Sequence, residues 1–286
     1  MSNTIVRVVL SLILSVLFPA AASAETVLED IRRTRTLKAG VRQDAAPLGY
    51  RSPETGEWEG YCIELMDLLA NRLTEQLQLA EPVRVELIQS TLENREAIVQ
   101  DGTVHVECGP NTITRTPKPG IAYSDRFIAT GTHLLVTQDN AAVLNPSGAM
   151  ENITIGVLPA SLTERFITSR YSLAQPVEYP GTNGRFEAVR DVGEGNINAF
   201  ASDGLLLVGE VLRQPESDRD DYALIPEEPL TCEFYGMIVP EGDLAWLNTV
   251  NSLILVRETL DILRDLYGRD SAFLTTSQAA LNKCTP

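Results

Sequence analysis

Apolar residues recur along the chain at two spacings, one typical of helices and one of strands. Between Cys62 and Leu73 they stand three or four positions apart, which predicts an amphipathic helix with one face in a core. Val83, Val85 and Leu87 alternate with other residues, which predicts a half-buried strand. Comparable patterns predict further strands at 36–42, 103–108, 153–158 and 197–201, and helices at 27–33, 92–100, 162–169, 184–192 and 204–213.

This order of elements predicts an α/β protein with two interwoven lobes, each a mainly parallel sheet flanked by helices. Two long apolar strands, 131–136 and 234–239, are expected to pair and to act as the hinge between the lobes. Two C-terminal helical segments, 243–267 and 271–282, are expected to pack back on the first lobe. The predicted boundaries are 1–24 for a leader, 25–131 for the first lobe, 132–233 for the second, and 234–286 for the return strand and the final helices.

The first 24 residues have the pattern of a secretory signal peptide. Arg7 is their only charge, an apolar run covers 8–18, and Ala22-Ser23-Ala24 is a small-residue cleavage site. The alternative is a retained membrane anchor, but the run is shorter than the roughly 20 residues that a span needs. We therefore expect export of the chain.

The composition excludes several classes of function. The formal net charge is −16, removal of Arg7 makes it one unit more negative, and no basic cluster occurs, so nucleic acid and anionic membranes are poor partners. With two histidines and no C-x-x-C pair, no metal site is expected. No cofactor is expected either, because Gly193-Glu194-Gly195 lacks the rest of a dinucleotide fingerprint.

Four cysteines in an exported chain favour disulfides. Of the three possible connectivities, we predict Cys62–Cys108 and Cys232–Cys284. The first pair would join a helix start to a strand end of the same lobe, and the second would fasten the C-terminal tail near the hinge.

Polar groups follow the predicted strand that ends at Cys108. The segment Gly109-Pro110-Asn111-Thr112-Ile113-Thr114-Arg115 offers a carbonyl at Pro110, a hydroxyl at Thr112 and a guanidinium at Arg115. The carboxyl ends of parallel strands are where α/β proteins hold small ligands. The alternative is an ordinary strand-end turn with a surface arginine.

Five segments, in this order, resemble the periplasmic solute-binding proteins of amino-acid transporters, bacterial family 3. They are 37–42 with 47–50, Trp58-Glu59-Gly60-Tyr61-Cys62-Ile63-Glu64-Leu65, 155–157 with 161–164, 198–203, and 235–238. Segments 107–109 and 131–135 are similar to the glutamate/aspartate-type subgroup. The resemblance implies a two-lobed type II binding-protein fold and a monomeric periplasmic receptor. Such a receptor captures one amino acid in the cleft and delivers it to an ABC transporter permease.

The resemblance also implies roles for residues of the strand-end turn. Thr112 would bind the α-carboxylate of the ligand and the Pro110 carbonyl its ammonium. Most family members place the arginine that clamps this carboxylate at the position of Pro117, so the chain departs from the pattern there. Arg115, two residues earlier, is the expected substitute.

Two positions of the second lobe have both a structural and a binding interpretation. Ser161 with Glu164 forms a helix capping box, and the capped helix start, with the Thr163 hydroxyl, would also attract the carboxylate. Asp203 lies where a strand meets a helix. It would bind the ligand's ammonium, or serve only as an N-cap.

Arg42 ends the first strand, where family members that take cationic amino acids place an acid. Its positive charge favours glutamate, aspartate or another polar amino acid as ligand. The alternative is a salt bridge to a local acid such as Asp44.

Binding without catalysis is therefore the expected function. The main competitor is an enzyme on the same scaffold, similar to cyclohexadienyl dehydratase, which would need an acid–base residue in the cleft. A sensor domain of a membrane receptor is a third possibility.

Overall fold

The computed structural model describes residues 25–52, 54–255, 257–267 and 272–284. The predicted leader lies outside these ranges. Within them, none of the helices has both the length and the apolar character needed to cross a membrane.

The elements largely follow the sequence pattern. In chain order the strands are β1 (Thr36–Arg42), β2 (Asp44–Ala45), β3 (Gly49–Arg51), β4 (Trp58–Glu59), β5 (Arg84–Ser90), β6 (Val106–Cys108), β7 (Ile121–Tyr123), β8 (Ile128–Thr130), β9 (Thr132–Thr137), β10 (Thr154–Val157), β11 (Gln175–Glu178), β12 (Ala199–Asp203), β13 (Tyr222–Ile225), β14 (Glu233–Tyr235) and β15 (Ile238–Pro240). The helices are α1 (Val27–Thr34), α2 (Tyr61–Gln76), α3 (Ala97–Gln100), α4 (Gln138–Val143), α5 (Leu162–Arg170), α6 (Gly184–Gly193), α7 (Gly204–Leu212), α8 (Leu244–Ile254), α9 (Arg257–Tyr267) and α10 (Ala272–Cys284), with a 3-10 turn at Glu216–Asp221.

Two five-stranded sheets form the cores of the two lobes. The first has the order β5-β1-β6-β15-β7, and the second has the order β11-β10-β12-β9-β13. In the first sheet β1 runs parallel to both β5 and β6, and in the second β10 runs parallel to β11 and β12. Helices flank both sheets, so the predicted two-lobed α/β architecture is confirmed.

The strands that connect the lobes differ from the predicted pair. Short strands β8 and β14 pair antiparallel, with Thr130 opposite Glu233 and Tyr235 opposite Ile128. The prediction that 131–136 pairs with 234–239 is wrong, because β9 lies inside the second sheet between β12 and β13. Leu134, Leu135 and Val136 on β9 are all buried, as expected for a strand that is covered on both faces.

Both predicted disulfides are present. Cys62–Cys108 joins the first turn of α2 to the end of β6, with the Cα atoms 5.7 Å apart. Cys232–Cys284 joins the segment before β14 to the end of α10, with the Cα atoms 5.5 Å apart. Each disulfide closes a loop of about 50 residues, which limits the freedom of the unfolded chain.

Helix α10 does not pack where the sequence predicts. Helix α9 contacts α2 of the first lobe as expected, but α10 packs on β8 and α7. Its Ser277 hydroxyl donates to the Ala129 carbonyl at 2.9 Å, and its Lys283 ammonium donates to the Pro229 carbonyl. These bonds and the Cys232–Cys284 disulfide hold α10 along the connecting strands.

Helix α7 is buried from Gly204 to Glu210 because both lobes cover it. Leu205, Leu206 and Val208 belong to the main core of the first lobe, whereas Leu207 packs with Leu135 and Phe200 in the second. A surface helix buries a single apolar stripe and exposes its other face. In α7 all residues from Gly204 to Glu210 are buried, so no face of this part is exposed.

The tight contact between α7 and the first lobe makes Gly209 sensitive to substitution. A Cβ at this position would overlap the Ala46 carbonyl and approach Pro47 Cδ to 2.6 Å. Gly to Ala inside a helix is otherwise favourable by about 0.5–1 kcal/mol. We expect Gly209→Ala to reduce the free energy of unfolding, measured in urea, by about 1–3 kcal/mol because the backbone must shift.

Gly148→Ala is the control, since its Cβ would come no closer than 3.3 Å to any neighbour. Equal or greater stability of Gly209→Ala would contradict the close packing of α7 on the first lobe.

Candidate functional site

A cavity lies between the two lobes, at the carboxyl ends of β1 and β12. It contains about 500 Å³ of empty space, its open mouth included. The first lobe and the connecting strand supply one wall, formed by Arg42, Leu92, Arg95, Pro110, Thr112 and Glu233. The second lobe supplies the other, formed by Leu158, Ser161, Leu162, Thr163, Arg185, Ala201, Ser202, Asp203 and Leu206.

The structure brings together six of the seven predicted ligand-binding residues. Those that line the cavity are Arg42, Pro110, Thr112, Ser161, Thr163 and Asp203. Arg115 is not among the lining residues, and its side chain is exposed. The structure therefore favours the alternative interpretation of Arg115 as a surface arginine.

Arg95 reaches the cavity instead. It follows a turn in which Asn94 and Thr91 exchange hydrogen bonds through their side chains, so the helix predicted from residue 92 begins only at Ala97. The Arg95 Nη1 donates to the Pro110 carbonyl at 2.9 Å. Among the described residues, no carboxylate lies within ion-pair distance of Arg95, so its charge is available to a ligand.

Arg42 already has a carboxylate partner inside the protein. Its Nε donates to Asp44 Oδ1 at 2.7 Å and its Nη2 to Asp44 Oδ2 at 2.6 Å. Both side chains are about 4% exposed. This is the predicted alternative to ligand contact, although Arg42 still forms part of the cavity wall.

Arg185, which the sequence analysis did not single out, connects the lobes. From α6 of the second lobe its Nε donates to the Asp44 carbonyl of the first lobe at 3.1 Å, and its Nη1 donates to the Ser202 hydroxyl. Arg185 is 4% exposed, but burial cannot be read from the sequence, and no local pattern around Arg185 indicates its role.

The start of α5 is capped as predicted and presents an anion-binding end to the cavity. The Ser161 hydroxyl accepts from the Glu164 amide at 2.9 Å. The Glu164 carboxylate accepts from the Ala160 amide at 2.7 Å, one residue before the predicted Ser161 amide. The first amides of α5 have no partner within the helix, and its dipole favours negative charge here.

Asp203 is not a helix cap. Its side chain makes no capping bond to α7; Oδ2 accepts from the Tyr235 hydroxyl, and the buried Oδ1 has no partner among the described residues. Burial, and next the negative charge of Glu233, raise the pKa of Asp203 to about 7. An unpartnered buried carboxylate oxygen in a cavity wall is suited to a ligand that donates hydrogen bonds.

Glu233, on the wall opposite Asp203, is a second carboxylate of the cavity, and the sequence patterns did not identify it. Its Oε2 accepts from the Thr112 hydroxyl at 2.7 Å and its Oε1 from the Thr231 hydroxyl at 2.9 Å. The Thr112 hydroxyl, predicted to bind the ligand, is thus directed at Glu233. Glu233 lies one residue before the predicted return strand 234–239, and no local pattern around it indicates a role in binding.

The chemistry of the cavity is that of a site for a small zwitterion. Arg95 and the start of α5 attract a carboxylate, whereas Asp203, Glu233 and the Pro110 carbonyl accept from an amine. Among the residues that the structure describes, no cluster of three or more His, Cys, Asp or Glu side chains could hold a metal ion.

Residues 37–266 match the sequence profile of the bacterial extracellular solute-binding proteins, family 3. The chain belongs to this family. In this family-3 protein, the position at which the resemblance predicts the clamping arginine is the exposed Pro117, and Arg95 is the arginine that enters the cavity instead.

Curated relatives are similar over most of the family-3 chain. An L-glutamate/L-aspartate-binding protein of Pseudomonas aeruginosa is 26% identical over 257 residues, which cover 87% of this chain and 83% of the relative. A glutamine-binding protein of Geobacillus stearothermophilus is 26% identical over 222 residues, covering 76% and 79%.

A solved structure agrees in fold. The ancestral amino acid-binding protein AncCDT-1, described as a precursor of cyclohexadienyl dehydratase, matches with a TM-score of 0.65 and 20% identity. The match covers 91% of this chain and all of that one. At this identity the likeness supports the two-lobed fold alone.

The raised pKa of Asp203 predicts a pH-dependent effect of its removal. The folded chain holds the Asp203 proton up to about pH 7, whereas the unfolded chain releases it near the ordinary value of 3.8. The contribution of this group to stability therefore falls as the pH rises between these values. We expect Asp203→Asn to be more stable than the wild type by about 1–3 kcal/mol at pH 8, with a smaller difference at pH 5.

Urea unfolding of both proteins at the two pH values measures this. The other buried carboxyl groups are present in both proteins, so the difference reports Asp203 together with its electrostatic interaction with Glu233. A stability difference that does not change with pH would show that Asp203 titrates normally.

Proposed function

We propose that the protein is an exported receptor that captures one amino acid between its lobes and delivers it to an ABC transporter permease. The observation that carries this proposal is the pairing of opposite charges across one cavity. Arg95 and the start of α5 are suited to a carboxylate, and Asp203 with its unpartnered oxygen is suited to an ammonium.

The α-carboxylate and the ammonium would each be bound from more than one element. The carboxylate would accept from the Arg95 guanidinium of the first lobe and from the α5 amides of the second. The ammonium would donate to Asp203 of the second lobe and to the Pro110 carbonyl of the first, which has a second lone pair beside its bond from Arg95. A ligand bound by both lobes stabilises their closure.

The side chain of the ligand is proposed to be acidic. Two further arginines, Arg42 and Arg185, lie in the cavity wall, and Arg185 has no carboxylate partner among the described residues. Glutamate or aspartate would supply such a carboxylate. The curated relatives named for glutamate/aspartate and for glutamine support a polar amino acid of this size.

Export through the leader at 1–24 and a monomeric periplasmic form complete the proposal. One observation favours the competing enzyme function. The buried Asp203 has a raised pKa, which would allow it to act as a general acid near neutral pH. Turnover of prephenate or arogenate would favour that enzyme over the receptor.

A thermal-shift screen with the twenty amino acids tests the receptor, since a ligand that binds only the folded state raises the melting temperature. We expect L-glutamate and L-aspartate to give the largest shifts. Arg95→Gln removes a charge-assisted bond to the carboxylate that all amino acids share. It should weaken every ligand by about 2–5 kcal/mol in calorimetric titration.

Arg115→Gln is the matched control, because Arg115 is an exposed arginine of the segment predicted to bind the ligand. We expect wild-type affinity for this variant. Loss of binding in Arg115→Gln with normal binding in Arg95→Gln would reverse the assignment of the carboxylate, and the absence of any shift in the wild type would refute the receptor.

A further inference from the structure

Two carboxylates line the cavity from its two walls, and their charges interact. Asp203 ends β12, and Glu233 begins β14, the strand that connects the lobes. Within the described ranges, neither forms an ion pair with a lysine or an arginine. A buried acid beside a half-buried one, without a cationic partner, is costly unless a proton or a ligand supplies positive charge.

The position of Glu233 is fixed by hydroxyl groups. Thr112 forms an isolated β-bridge with Tyr235, and this bridge places the Thr112 hydroxyl against Glu233 Oε2. The Thr231 hydroxyl donates to the other oxygen, Oε1. Both oxygens of Glu233 therefore accept hydrogen bonds from hydroxyl groups, and these bonds hold its side chain in place.

Asp203 is satisfied on one oxygen only. The Tyr235 hydroxyl donates to Oδ2, while Oδ1 is buried without a partner in the described part of the chain. Charged and titratable groups around Asp203 are Glu233 and Tyr235 on β14, Arg185 on α6, and Arg95 before α3. Burial and the charge of Glu233 raise the pKa of Asp203, whereas the two arginines lower it. The net result is a pKa of about 7, so near neutral pH a proton supplies part of the missing positive charge.

We propose that Glu233 is a specificity-determining residue that forms, together with Asp203, a two-carboxylate site for the ammonium of the ligand, and that the ammonium displaces a proton from Asp203 on binding. This inference rests on the proposed amino-acid receptor. The proton leaves the Asp203 carboxyl for solvent, and the ligand keeps its own three N–H groups. These donate to Asp203, Glu233 and the Pro110 carbonyl.

The two-carboxylate site would therefore distinguish ligands by the charge on their nitrogen group. A ligand with a protonated primary amine replaces the lost proton, whereas an analogue with an uncharged amide at the same position supplies no positive charge and leaves the proton on Asp203. Affinity for L-glutamate also rises with pH from 6 to 8, because less work is needed to remove the proton.

Calorimetric titration with L-glutamate at pH 7, in phosphate and in Tris, counts the protons released, since the two buffers differ in ionisation enthalpy. We expect the wild type to release about 0.5 proton per ligand, as a group with a pKa of about 7 is half protonated at this pH. Glu233→Gln lowers the pKa of Asp203. Because burial is the larger cause of the raised pKa and remains in the variant, the release at pH 7 should fall below that of the wild type, the dependence of Kd on pH should move to lower pH, and binding should weaken by about tenfold.

Glu233→Asp keeps the negative charge and should retain proton release. Glu228→Gln is the matched control, because Glu228 is an exposed acid five residues away whose only described ion pair, with Lys283, is 3.9 Å long. It should behave as the wild type does.

Absence of proton release in the wild type overturns the inference without any variant, so the test does not depend on the folding of Glu233→Gln. An unchanged release and pH profile in folded Glu233→Gln also overturns it. Both results leave the receptor intact as long as L-glutamate binds, whereas failure of every amino acid to bind would refute the proposed function itself.

Discussion

The burial of α7 on both faces is the constraint on which the rest of the structure depends. Its leucines fill the cores of both lobes, so the lobes must meet around it. The residue before this helix is Asp203, which is therefore held at the boundary of the two lobes. Gly209, farther along α7, allows close approach to the loop at Ala46 and Pro47. The packing of one apolar helix thus determines where the cleft can close and which carboxylate lies in it.

The charges of the cleft fall into two groups with different roles. Arg42 and Asp44 form a buried ion pair through two hydrogen bonds. Arg95, Arg185, Asp203 and Glu233 lack oppositely charged partners within ion-pair distance among the described residues. A protein seldom leaves charges in a half-buried cavity uncompensated, because their desolvation is costly. We interpret the first group as the framework of the cleft and the second as the part that a ligand completes.

Local sequence patterns were sufficient for most of the fold. The helical stripe of α2, the cap at Ser161 and the strand of β1 are determined by neighbouring residues, and each lies where the pattern predicts. Both disulfides also followed from the element order. The pairing of β8 with β14 did not, because the predicted segment 131–136 coincides with β9 and the predicted segment 234–239 runs across both β14 and β15.

The site was less accessible to prediction because its contacts join distant parts of the chain. Thr112 and Glu233 are 121 residues apart, and nothing local to either indicates their hydrogen bond. Arg95 lies inside the predicted helix 92–100, but in the structure this helix begins five residues later, at Ala97. The family resemblance directed attention to Arg115, although the turn before α3 brings a different arginine to the same cavity.

A crystal structure of the protein grown with L-glutamate tests the central claim most directly. We expect a ligand between the lobes, with its α-carboxylate on Arg95 and the α5 amides and its ammonium between Asp203 and Glu233. A ligand bound elsewhere, or one with its α-carboxylate on Arg115, would contradict this assignment of the cleft.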